Sequence, residues 1–303
     1  MEKKECFKTK IGGQAVIEGI AMRGPKQTCL AVRTPEGEIH TELYETKKNK
    51  LAKVPVFRGA AAMILSLAAG YKYLMRAADL AFPEEAAKEE ESEKKSASWL
   101  APAAGVLGGL MAIALFVLLP TALTGLLARF VPLDGFKTLI EGFLKILIFI
   151  GYLFAVTRLN DIKRVFQYHG AEHKTIACYE HRAPLTVESV RGFSRFHPRC
   201  GTSFMFIVIL ISILVFSFVP WGNTFARVGL KLLCLPLIMG ISYEIIQFAG
   251  AHDNLLTKIL SAPGLWVQRL TAFEPEDDMI EVAIASLIPV LPESEDEAEW
   301  SAS

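Results

Sequence analysis

The chain has 303 residues, 32 Lys+Arg against 32 Asp+Glu, and 52% hydrophobic residues with a positive mean hydropathy. That is too apolar for an ordinary soluble domain, and the zero formal charge removes the basic signature of a nucleic-acid partner. The apolar excess lies in blocks, so the expected class is a mainly α membrane protein with about four transmembrane helices and a small N-terminal α+β cytoplasmic domain.

Residues 1–98 are expected to form that N-terminal domain. Residues 1–10 lead into glycine-rich polar sequence rather than an apolar core, so no cleavable signal peptide is expected. Paired glycines at Gly12 and Gly13 stand close to Glu18, and Met22-Arg23-Gly24-Pro25 follows, which suggests backbone held close to another surface. Neither a dinucleotide nor a Walker pattern is present. Residues 29–34 and 38–44 alternate around Pro35-Glu36-Gly37 and predict a hairpin. Residues 59–71 are apolar over only about 13 positions and are bracketed by Arg58, Lys72 and Arg76, which predicts an interfacial or core helix and not a span. Residues 84–95 read as a mixed-charge linker.

The membrane domain is expected over 99–250. A charge-free run at 100–127 contains Pro102 and Pro120, and further runs lie at 140–156, 204–219 and 232–248. Glu141 and Lys145 interrupt the second run near its entry. Arg158, Lys163, Arg164, Lys174, Arg182, Arg191, Arg195 and Arg199 crowd the connection between the second and third runs, whereas the opposite side holds only Arg129 and Lys137 in one loop and Arg227 near the other. The positive-inside rule therefore places loop 159–202, and with it both termini, on the cytoplasmic side of the membrane. A cytoplasmic C-terminal segment follows at 251–290, then an acidic disordered tail at 291–303; residues 274–303 carry ten carboxylates and no Lys or Arg. The five cysteines are scattered and odd in number, so disulfides are not expected and Cys200 is available as a thiolate.

Between Asp161 and Cys178, apolar or ambivalent residues at 162, 165, 166, 169, 173 and 176 fall at helical spacing. His169 and His173 then share the inward stripe, with Glu172 within reach of whatever they hold. The order His-x-x-Glu-His is that of the inverted zincins, in which two histidines bind a metal and the glutamate handles a proton. Three polar groups converge at one depth: residues 169–173, the His197/Cys200 pair before the third run, and Glu244 within the fourth. A divalent metal, zinc by ligand type, fits His169 and His173 with His197, Cys200 or Glu244 as third ligand; His252 is a spare ligand. The bland alternative is a set of hydrogen-bonded core histidines, with Glu244 paired to an arginine.

The segments Gly12-Gly13-Gln14-Ala15-Val16-Ile17-Glu18-Gly19, Met22-Arg23-Gly24-Pro25, Tyr168-His169-Gly170-Ala171-Glu172-His173-Lys174 and His197-Pro198-Arg199-Cys200-Gly201-Thr202-Ser203-Phe204 closely resemble the bacterial YqhQ-like proteins. So do Tyr243-Glu244, Glu274-Pro275 and Glu281-Val282-Ala283, and the resemblance runs from about residue 10 to 290. It implies a multi-pass membrane family of unknown function described as predicted metal-dependent enzymes, and makes Gln14, Glu18, Arg23 and Arg58 candidates for the same site. The leading expectation is a hydrolase of a lipid-linked or peptide substrate with Glu172 as its proton acceptor. The alternatives are a non-catalytic assembly or regulatory protein and a transporter, although no internal repeat of the transporter kind is visible. Expected partners are membrane lipid and a second copy of the chain.

Overall fold

The computed structural model describes residues 7–46, 54–83, 100–252 and 254–294; Cys6, the 84–95 linker and the tail from 295 onward lie outside the described residues. The chain is mostly helical, with one small antiparallel sheet near its N-terminus. Strands β1 (Gly12–Val16), β2 (Gly19–Arg23), β3 (Gln27–Arg33) and β4 (Ile39–Glu45) pair in chain order. The predicted hairpin is β3–β4, with Gly37 at φ 87° in its turn, a conformation that glycine adopts without a Cβ clash. Alternation along β2 and β3 sends side chains to two buried faces. Ile20, Met22, Cys29 and Ala31 pack against one helical layer, and Ala21, Leu30 and Val32 against Ala77 and Ala81 of another.

That second layer is α1 (Phe57–Ala81), a single 25-residue helix about twice as long as its apolar stretch suggested. The first layer is α5 (Asn160–Glu180) together with α10 (Asp277–Leu287). The sheet is thus sandwiched between helices drawn from both ends of the chain.

The apolar runs form α2 (Leu100–Ile113), continued through a π turn at Ala114–Leu118 into α3 (Leu119–Leu127), then α4 (Lys137–Val156), α7 (Gly201–Phe216) and α8 (Thr224–Ala251). Three stretches are long and apolar enough to cross a membrane: Ala103–Leu127, Lys137–Val156 and Thr224–Ala251. The expected third span, α7, is apolar but only 16 residues long; at 1.5 Å per residue it covers about 24 Å, short of the roughly 30 Å of a hydrocarbon core.

Two further readings change. The α5 helix does not continue the second run, because a turn at residues 157–159, with Leu159 extended, separates it from α4. Arg227, expected near the opposite loop, lies in the first turn of α8, which begins at Thr224, and is almost wholly buried with Lys231 and Glu141. Between Arg191 and Asp277 the chain adds α9 (Leu255–Thr271), which the sequence reading left without an element. It crosses α7 where Gly264 abuts Ser203, and its Val267 joins Phe149, Leu153 and Ile209 in one apolar cluster. A short α6 (Val187–Arg191) lies within the cytoplasmic loop predicted from charge.

Candidate metal centre

Two elements bring the ligand candidates together. Helix α5 places His169 and His173 one turn apart on its buried stripe, with ring centroids 4.3 Å apart. Cys200 is the residue that starts α7, where its Sγ accepts the Thr202 amide. Its Sγ stands 3.2 Å from His169 Nε2. One ligand atom from each of His169, His173 and Cys200 falls within 4.8 Å of the others. A tetrahedral zinc with bonds of about 2.0–2.3 Å needs donors within this range, so a small closing movement suffices.

The imidazoles are held in the tautomer that ligation requires. His169 Nδ1 lies 2.6 Å from the Thr271 carbonyl, and His173 Nδ1 lies 2.6 Å from the Arg195 carbonyl. A carbonyl can only accept, so Nδ1 carries a proton in each ring, which leaves Nε2 as the nitrogen that would ligate a metal on giving up any proton it shares with Cys200. Such outer hydrogen bonds are the usual supports of metal-binding histidines.

Glu172 sits beside them, 5% exposed. Its Oε1 accepts the Gly13 amide at 2.9 Å, while Oε2 is buried with no hydrogen-bond partner. Such an orphaned oxygen is costly unless something fills the space before it. That space is a cavity of about 120 Å³ lined by Lys10, Gly13, His169, Glu172, His173 and Cys200, among others. Gly13 is required by proximity, since a Cβ there would stand 2.9 Å from the Glu172 carboxyl carbon. Gly170, inside the motif, is required likewise: a Cβ would run into the carbonyl oxygen of Phe273. Of the paired glycines, Gly13 thus marks backbone pressed against the site, whereas a Cβ on Gly12 would meet nothing within 4 Å.

Burial opposes charge throughout this cavity, and the groups answer in pairs. Burial alone would depress the His169 imidazole, but the Cys200 sulfur beside it outweighs that and lifts it to about 9. Burial likewise disfavours the Cys200 thiolate, yet His169 and His173 hold the thiol well below its ordinary value. Glu172 is pushed up by burial, with the two histidines and the Gly13 amide acting against the rise. A carboxyl raised from its usual range is suited to exchanging protons near neutrality.

The remaining candidates go elsewhere. His197 lines the cavity and lies 5.6 Å from the His173 ring, but its Nε2 faces Glu180 at 3.5 Å and it does not join the three-residue donor group. Glu244 is no ligand in this arrangement: its carboxylate is taken by Arg58 at 2.6 and 2.8 Å and by the Val56 amide at 3.2 Å. The arginine that holds it comes from α1, not from the basic loop. Glu18, at φ 48° in the β1–β2 turn, pairs with Arg164 and Tyr168 and ties the sheet to α5. Gln14, Arg23, Arg58, Glu244 and His252 line a second, larger cavity on the other side of β1.

Sequence reasoning missed several supports. Glu180 is buried, accepts the Thr9 amide at 2.8 Å and pairs with Arg199 and His197. Its position seven residues after His173 extends the same helical stripe and was a usable signal. Gln268 of α9 clamps the His197 backbone, accepting its amide and donating to its carbonyl, both at 2.8 Å. Nothing local marks Gln268 or the Thr271 carbonyl, because their roles exist only once α9 packs on α7.

The family described as protein of unknown function (DUF1385) matches residues 54–293. The chain is also 38% identical over 291 residues, 92% of each chain, to an uncharacterized protein YqhQ of Bacillus subtilis (strain 168). No solved structure matches.

Proposed function

The chain belongs to the DUF1385 family, and we propose that it is a polytopic inner-membrane protein with a cytoplasm-facing divalent-metal centre that hydrolyses a lipid-linked or peptide substrate. The observation that carries this is the buried Glu172 Oε2, unpartnered and facing a cavity beside two Nε2 atoms and a thiol. Two imidazoles and a thiolate suit zinc, and three protein donors leave a fourth position open, the pattern of catalytic rather than structural sites. The metal would supply Lewis acidity and ease deprotonation of water in the cavity. Glu172 then accepts that proton at Oε2, held in place through Oε1 by the Gly13 amide, and later returns it to the leaving group. Thr271 and Arg195 carbonyls keep both imidazoles oriented while this happens.

In this reading the three long apolar helices cross the bilayer together with α7, whose 16 residues are extended by the apolar flank Phe218 and Val219, and the basic connection that carries α5 faces the cytoplasm. A cysteine at Asn223, between α7 and α8, is then labelled by an impermeant maleimide applied to intact cells, and one at Ser194 only after permeabilisation. The reverse pattern would overturn the orientation.

Metal analysis of the purified full chain tests the centre. We expect about one zinc per chain, lost in the combined His169→Ala and His173→Ala variant; a metal-free wild type overturns the proposal. Glu172→Gln should keep the metal and lower product release from a membrane-lipid or peptide mixture by about 10²–10⁴-fold, as loss of a general base does. A second reading, a structural zinc in an assembly protein, draws on the burial of His173 and Cys200. It requires Glu172→Gln to be silent while the double histidine variant melts earlier.

A further inference from the structure

The second cavity, on the far side of β1, has a volume of about 890 Å³, within the range of roughly 300–1,000 Å³ typical of ligand sites. It lies beside the close packing of α1 on α8. Gly59 of α1 meets Tyr243 and Gly240 of α8 so closely that a Cβ on Gly59 would stand 2.5 Å from the Tyr243 Cβ. Beyond that crossing, the facing side chains are Ala62, Ser66 and Ala69 on α1 and Gln247 and Ala251 on α8, and the space between them stays open. Small residues on one wall leave a wedge that neither helix fills.

Three properties of the wedge together specify an occupant. The helix that supplies its small-residue wall is apolar on its outer side, where Ile64 and Leu67 of α1, flanking Ser66, are 64% and 63% exposed. Since α8 is one of the helices apolar enough to cross a membrane, the wedge opens beside hydrocarbon. Its inner end is cationic. Lys10, Arg23 and Arg58 line it together with the carboxylate Glu244, which pairs with Arg58, and Arg23 makes no ion pair with the described residues. Finally, the wedge shares Lys10, Gly12 and Gly13 with the Glu172 cavity, so only the β1 backbone separates the two.

We propose that this wedge binds an anionic, phosphate-bearing membrane lipid, with its acyl chain between α1 and α8 and its headgroup against Arg23 and Lys10 at β1. The proposal rests on the hydrolase reading for its purpose, since it makes a lipid-linked substrate, rather than a peptide, the one delivered to Glu172. Binding itself needs neither the metal nor turnover. Guanidinium and ammonium groups at a bilayer edge are suited to phosphate, and the uncharged small-residue wall is suited to a chain.

The test is native mass spectrometry of the purified full chain, counting phospholipid retained as detergent is increased. We expect about one phosphatidylglycerol per chain, held at detergent concentrations that strip phosphatidylcholine at least about 10-fold more completely. Ser66→Trp, which fills the wedge from an exposed position, should abolish retention. Arg23→Gln, which leaves the wedge open, should remove the preference for phosphatidylglycerol, and a circular dichroism melt checks that both variants fold. The His169→Ala and His173→Ala double variant should retain lipid as the wild type does, so loss of the metal reading would leave this result standing. Equal retention of both lipids, or retention untouched by Ser66→Trp in a folded variant, overturns the proposal. Displacement of phosphatidylglycerol by free glycerol phosphate at similar concentration also overturns it, because the ligand is then a soluble phosphate and not a lipid.

Discussion

At the scale of single residues, the centre is organised by what buried polar atoms must find. His197 shows this most clearly. Burial, with Arg199 close by, pushes its imidazole below the ordinary value even though Glu180 works against the shift. Glu180 is displaced the other way from its burial: His197, Arg199 and the Thr9 amide hold its carboxyl below the usual range. Both shifts act in the same direction on stability. As pH falls through 6.5 the unfolded chain protonates His197 before the folded one does, so folding loses free energy from there downward. Below the ordinary carboxylate value of 4.5, protonation of Glu180 removes a further contribution. Thermal melts of the detergent-solubilised chain should therefore fall in two stages on acidification. A His197→Gln variant should be flatter between pH 7 and 5.5, and an unchanged profile would show that the His197–Glu180 pair does not set the acid response. The residue types of this pair were visible in the sequence. Their pairing was not, because seventeen residues of chain separate partners that meet only across the α5–α7 junction.

At the scale of elements, helical periodicity was enough to place α5 and to put His169 and His173 on one stripe, since a 3.6-residue repeat needs only local sequence. The element it could not supply was α9, whose apolar residues are interrupted by Lys258, Pro263, Gln268 and Arg269. Yet α9 carries the Thr271 carbonyl that orients His169 and the Gln268 amide that clamps His197. Gln268→Leu should leave a buried amide and carbonyl of His197 unpaired, costing roughly 2–4 kcal/mol at about 1–3 kcal/mol per orphaned group. A lower melting temperature together with weaker zinc retention in a chelator titration is expected. A stability loss with zinc affinity unchanged would separate the clamp from the centre.

For the whole molecule, the two ends of the helical bundle are built on different principles. One end holds the Glu172 cavity and the sheet; the other is closed by Glu141, Lys145, Arg227 and Lys231, all at most 6% exposed. Glu141 accepts from Arg227, Lys231 and Thr121, Lys145 donates to Ser212, and Arg227 also lies over the Trp221 ring. One carboxylate thus serves helices α3, α4 and α8 at once. Glu141→Gln strands two buried cations and should destabilise by about 3–5 kcal/mol, the cost of breaking a buried pair from one side. Chemical denaturation in mild detergent measures it, and adding Lys231→Met should recover part of the loss. In the sequence these residues read as flanking charges of apolar runs, because the pairing of Glu141 with Arg227 spans 86 residues.

Composition and local pattern by themselves determined that the chain is mostly helical with apolar runs, that β3 and β4 form a hairpin, and that His169 and His173 share a buried helix stripe with Glu172 within reach. Each of these follows from periodicities of two or 3.6 residues, or from the φ that Gly37 alone adopts freely. The tertiary structure alone decided which third donor joins the histidines, and it chose Cys200 over His197 and Glu244. That choice is made by distance: α7 starts against α5, Glu180 occupies His197, and Arg58 draws Glu244 to the opposite side of β1.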